Sequence, residues 1–231
     1  MKYYLLLFSI LFAFQQALSQ PTAGTTGLLN IPTADMQPDG TFLFGGNYLP
    51  EPMNPEKIGY NTGNYYINIT FLPFWEVNYR LTLLKIKSNG TYNQDRSFAL
   101  RGRLLKERKY LPSLVIGGND IYTTSKGKGN QYFGCLYAVS TKKIEWDRNI
   151  ISVTIGFASD VFHRDQYSGW FGGVSFSPSF FRQLSLMAEY DSKAWNAGAS
   201  LFLFNHLQLY AFAYNLKYFS GGVAYKVYLK K

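Results

Sequence analysis

The sequence predicts an all-β fold: a transmembrane antiparallel β-barrel of about twelve strands behind an N-terminal lead-in. Three observations carry this. Apolar and polar residues alternate with period two along most of the chain, which is a strand pattern and not a helix pattern. Aromatic residues reach 18% while charged residues stop at 16%, below the roughly 25% common in soluble domains. Beyond the N-terminal segment no window of about 20 apolar residues exists, so no helix is expected to span. A mean hydropathy of −0.13 agrees, because an apolar lipid face and a polar interior cancel in the average.

Residues 1–19 read as a secretory signal. Lys2 precedes an apolar core from Leu5 to Phe14, and Ala17 and Ser19 supply small residues for a signal peptidase. The core is too short to span, so cleavage after Ser19 is expected. No Cys stands at that junction, and a lipid anchor is not expected. Cys135 is the chain's one cysteine; an exported chain without an internal disulfide must be stabilised by another route.

Residues 20–40 form the lead-in. Pro32 has no N–H to give a ladder, which stops the short piece from Leu28 to Ile31. Pro38-Asp39-Gly40 is turn chemistry, with Pro fixing φ and Gly accepting positive φ. This predicts a short extended element at the periplasmic base of the barrel, partly plugging its mouth.

Residues 41–231 supply the strands, expected near 41–49, 64–72, 74–85, 97–105, 113–121 and 130–140. The second half gives 149–158, 168–177, 182–191, 194–204, 206–214 and 217–229. Most approach the roughly 9–11 residues a tilted strand needs to cross a bilayer. In 74–84, Val77, Tyr79, Leu81 and Leu83 share one face; Glu76, Asn78, Arg80 and Thr82 share the other. The stretches 65–72, 98–105 and 184–191 repeat the arrangement. Odd-to-even connections should be outer loops, and the early ones are long and polar. Even-to-odd turns should be tight, as at 73–74 and 204–206. Two expected turns, 106–112 and 141–148, are longer than this scheme wants. The last strand carries Ser220-Gly221-Gly222-Val223-Ala224-Tyr225-Lys226-Val227, which resembles the outer-membrane assembly signal, although the chain ends on Lys230-Lys231 rather than an aromatic residue.

Inward-facing charges are the candidate functional residues: Glu76, Arg80, Arg101, Arg103, Asp120, Glu189 and Asp191. On the lipid face an Arg would cost roughly 2–4 kcal/mol near the midplane. Two readings follow. The set lines a pore selective for an acidic solute, or it forms a self-neutralising network filling a narrow lumen. The surplus Lys residues, among them Lys85, Lys87, Lys126, Lys128, Lys142 and Lys143, suit contact with lipopolysaccharide phosphates or plain solvation. Rings near strand ends, such as Trp75, Trp146 and Trp170, suit an interfacial girdle. No enzyme is expected, because His163 and His206 have no Ser and orienting acid placed beside them. No metal site or cofactor is expected from two separated His and one Cys. Scattered cations on an exported chain also argue against nucleic-acid binding.

"TGLLNIPTA" followed by "QPDGTF" resembles the start of the YjbH-type family of outer-membrane proteins linked to exopolysaccharide production. Leu72-Pro73 before Glu76, Tyr79 and Arg80 continues the match. So do Asp95 before an Arg-bearing strand, "LLKERKYLPSLVIGGNDI" at 104–121, and then Ser140 and Lys142. Family members are typically much longer, and Tyr122-Thr123-Thr124 stands where the family favours a Gly-rich run. The resemblance implies an outer-membrane location in a Gram-negative envelope. It also implies an accessory or scaffolding role in exopolysaccharide export or envelope assembly. Expected partners are outer-membrane lipid and lipopolysaccharide, other envelope proteins, and polysaccharide. The alternative is a porin-like channel for acidic oligosaccharides.

Overall fold

The computed structural model describes residues 22–54, 59–85, 92–122, 132–159 and 168–230. The expected signal at 1–19, parts of the early connections expected as outer loops, Lys87, Lys126, Lys128 and His163 lie outside the described residues. Twelve strands form one antiparallel sheet that closes on itself. The first six are β1 (Thr41–Leu49), β2 (Thr62–Phe71), β3 (Trp75–Lys85), β4 (Tyr92–Leu105), β5 (Ser113–Tyr122) and β6 (Cys135–Trp146). The others are β7 (Asn149–Ser159), β8 (Gly169–Ser177), β9 (Leu184–Tyr190), β10 (Trp195–Leu203), β11 (Leu207–Tyr214) and β12 (Tyr218–Tyr228). Each strand pairs with its chain neighbours. The ring closes where β1 meets β12, from Thr41 opposite Tyr228 to Tyr48 opposite Gly221. No α-helix occurs among the described residues.

The period-two pattern decides which side chains enter the barrel. Glu76, Asn78, Arg80 and Thr82 of β3 are buried inside. Tyr65 and Ile67 of β2, Leu100 of β4, Ile155 and Phe157 of β7 and Leu186 of β9 face outward and stay exposed. A one-residue slip would exchange the two sets along a whole strand, so the register is fixed by the alternation.

Tight hairpins close one end, here called the turn end. Asp147-Arg148 and Phe204-Asn205 each hold positive φ at both central positions, the twist that suits a two-residue hairpin. The opposite, loop end carries the long connections, although Asn215-Leu216 makes a similarly tight turn there. Two boundaries depart from the sequence reading. β4 begins at Tyr92 rather than 97, because polar residues from 92 to 96 continue the ladder beyond the apolar band and pair with β3. β6 runs Cys135–Trp146 rather than 130–140, since Lys142 and Lys143 continue the pairing to Trp146 opposite Asn149. The expected long turn at 141–148 is thus a two-residue hairpin.

One irregularity redirects a charge. Between β4 and β5 the register shifts after Phe98–Tyr122 and resumes at Leu100–Gly118, leaving extra residues in β5. Asp120 sits there at φ 47, and the bulge turns both Asn119 and Asp120 inward, where both are buried. Strict alternation allows only one of two successive residues inside; bulges exist to re-aim a side chain.

The interior is filled. Residues 22–37 run through the barrel rather than across its mouth, and nearly all are buried. Leu28, Leu29, Ile31, Ala34 and Met36 pack against Val115, Val139, Phe171, Met187 and Phe212 in one apolar cluster. Between β5 and β11 the wall therefore adds an apolar patch to inner faces that were expected to be polar throughout. β1 to β4 supply most of the polar and charged side chains that meet the hairpin, and Glu189 of β9 with Asp191 just after it meets the hairpin from the other side.

Candidate functional site

The inner segment is a short hairpin built from its own backbone. Leu28 N–H donates to Ile31 C=O at 3.0 Å, Thr33 N–H to Thr26 C=O at 3.3 Å, and Gly27 bridges Pro32. Pro32 cannot extend this bridge into a strand, so the tip at Leu29, Asn30 and Ile31 keeps amides with no partner in the hairpin. Gly24, at φ +81, lets the chain turn where any Cβ would sit 2.6 Å from the Tyr66 ring.

Those amides are met by a buried carboxylate. Glu189 of β9 accepts from the N–H groups of Leu29 at 2.9 Å, Asn30 at 2.7 Å and Ile31 at 3.4 Å. Asn196 donates to both Glu189 and Asp191 at 3.1 Å, and the Asn30 side chain donates to Asp191 at 2.7 Å. Gly173 of β8 leaves the room: a Cβ there would lie 2.7 Å from both Leu28 and Glu189.

Glu76 does the same on β3, six strands away in a ring of twelve. It accepts from Thr26 N–H at 2.7 Å, Thr26 Oγ1 at 2.9 Å and Asn68 Nδ2 at 2.9 Å. Arg101 of β4 lies 3.6 Å from Glu76 and donates to the carbonyls of Thr26 at 2.5 Å, Thr33 at 2.7 Å and Asp35. Four asparagines complete the pattern. Asn47 and Asn64 donate to Thr22 C=O, Asn78 to Ala23 C=O and Asn68 to Gly24 C=O, all between 2.9 and 3.1 Å. Carboxylates thus take the hairpin's N–H groups, while Asn and Arg serve its carbonyls. Buried charges and amides are retained only with such partners.

The sequence-predicted charges divide into groups. Glu76 and Arg101 meet at the hairpin; Glu189 and Asp191 meet at its tip. Arg80 bonds Ser97 at 3.3 Å and stacks 4.1 Å from the Phe133 ring. Asp120, which accepts from Phe133 N–H at 3.3 Å, faces the same small space. Arg103 stands at the turn-end mouth, donating to Pro73 C=O at 2.6 Å. Residues of the site outside the predicted set include its asparagines, Asp95 and Lys226. Asp95 is buried but lay upstream of the expected start of strand four. Asn47 carried no charge to mark it. Lys226, buried and 3.3 Å from Gln37, was legible: Val223, Tyr225 and Val227 face outward, which sends Lys226 in.

A family model described as exopolysaccharide biosynthesis protein, YjbH, matches residues 19–166. The chain belongs to the YjbH family. The match takes in the hairpin, β1 to β7 and Glu76, Arg80, Arg101, Arg103 and Asp120. Glu189 and Asp191, which clasp the hairpin's tip, lie beyond the matched stretch. No curated protein matches this YjbH-family chain.

At the turn end the hairpin's exit, Asp35 to Pro38, forms the floor of a cavity of about 820 Å³. Its wall carries Arg103, the 106–109 turn, Lys142 and Lys143.

Proposed function

We propose that this YjbH-family chain is a closed outer-membrane barrel serving as an accessory or scaffolding component in exopolysaccharide export or envelope assembly, without catalysis of its own. One observation carries the reading: the lumen is occupied by the chain's own hairpin, pinned to opposite walls by Glu76 and Glu189. A conducting pore needs continuous water, and the buried Leu28, Leu29 and Ile31 exclude it. Outward Leu, Ile and Phe side chains on every face support a lipid setting. Family membership supports the exopolysaccharide context. In this setting lipopolysaccharide and other envelope proteins are the partners.

Planar-bilayer recording tests it. The purified chain should insert without stable conductance steps, and a variant lacking residues 22–36 should show them. Steady open-channel current from the unaltered chain would remove the scaffolding reading. The runner-up, a channel for acidic oligosaccharides, draws on the basic mouth at the turn end, and that same current, cation-excluding, is what it requires.

A further inference from the structure

The turn-end cavity has a composition that plugging alone does not need. β4 and the turn after it place Arg103, Lys106, Arg108 and Lys109 on its wall; β6 adds Lys142 and Lys143, and Lys226 lies at its base. Against the six cations of β4, its turn and β6 stand Asp35, Glu107 and Glu145. Two of the carboxylates are engaged, Asp35 by Lys143 at 2.8 Å and Glu107 by Lys142 at 3.0 Å. The positive excess therefore faces the cavity. A concave site lined by one sign of charge concentrates ions of the other.

We propose that this vestibule binds an anionic saccharide chain, one carrying carboxylate or phosphate groups. The cations do not converge on a point, as they would around a single small anion. They are spread from β4 along its turn to β6, which suits charges repeated along a chain. The volume falls within the usual range of roughly 300–1,000 Å³ for ligand sites. Tyr228, half-buried, also lines it, giving a ring against which the face of a sugar can rest. Its lining comes from the hairpin's exit, the 106–109 turn and the turn-end portions of the strands, which places it at the turn-end mouth. This deepens the runner-up reading, on whose basic mouth it rests, by assigning that mouth a ligand, and it holds whether or not the barrel conducts.

The test is binding by the detergent-purified full chain, measured calorimetrically with hexagalacturonate, with neutral maltohexaose as control. Hexagalacturonate should bind and weaken as salt rises; maltohexaose should not bind. Replacing Lys106, Arg108 and Lys109 together by Ala should weaken binding about tenfold or more, since each supplies a charge-assisted contact. These side chains are exposed, and heat-modifiable migration on gels verifies that the triple variant is folded. Neutralising Lys193 and Lys217 at the loop end should leave affinity unchanged. Three results would overturn the proposal: no binding of hexagalacturonate, equal loss in both variants, or capture of the chain only by phosphatidylglycerol vesicles.

Discussion

Glu189 shows how one side chain can justify a buried charge. It is fully buried and accepts four hydrogen bonds, three from the hairpin tip and one from Asn196. Replacing it with Ala strands three backbone amides away from water, at about 1–3 kcal/mol for each left unpaired. Some will rehydrate as the tip loosens, so E189A should cost about 2–4 kcal/mol; E189Q, which keeps one acceptor oxygen, should cost less. Denaturant unfolding followed by tryptophan fluorescence measures both, and an E189A midpoint equal to the parent's would refute the assignment. Outside the barrel wall, Asp39 makes a simpler case. Its hydrogen bond with Lys230 at 2.6 Å, aided by Leu72 N–H, holds its carboxyl below the ordinary 3.8. A carboxyl held low in the folded chain stabilises above its unfolded value, and that contribution is lost as pH falls through the lowered one. An NMR titration of Asp39 should move toward 3.8 in K230A; an unmoved titration would mean that Lys230 is not the cause.

At the scale of elements, alternation made most of the barrel readable, and its failures have physical reasons. β3 was legible because from Glu76 to Thr82 every second residue is polar and the rest can meet hydrocarbon; β9 keeps that alternation with Met187 as the one apolar residue on its inner face. β6 was displaced because Lys142 and Lys143 read as a turn, although a strand leaving the apolar band has no need of apolar residues. The β5 bulge was hidden because its extra residues leave no periodic trace; its mark is Asp120 at positive φ. There a branched side chain meets strong steric opposition, whereas Asn tolerates that region. D120N should therefore fold as the parent does, while D120V should lose about 1–3 kcal/mol from backbone strain and part of its folded yield. Equal yields of the two variants, measured by heat-modifiable migration, would show that the bulge is not a fixed feature. The hairpin was read as an extended lead-in with a turn, yet its route was not. Nothing in "TGLLNIPTA" says that its unpaired amides will be met by a glutamate about 160 residues later.

On the scale of the whole molecule, the hairpin gives a disulfide-free barrel its core. Leu28, Leu29 and Ile31 bury their side chains against β5 to β11, each worth about 1.5–3 kcal/mol, while the polar backbone is met by β1 to β4 and by β9. Ring closure through β1 and β12 makes no use of the hairpin, so the barrel without residues 22–36 should still close, with a lower unfolding midpoint. A sharper consequence concerns Glu76 and Glu189. They stand on opposite walls and touch no common side chain, so independent action would make their effects add to within about 0.5 kcal/mol. If both act through one hairpin that docks or leaves as a unit, the first substitution already frees most of it. E76A with E189A should then cost clearly less than the two single costs together, and the double variant should approach the hairpin deletion. Strict additivity in that cycle would mean that the segment is held as separate local contacts, and the picture of a single plug closing the lumen would fail with it.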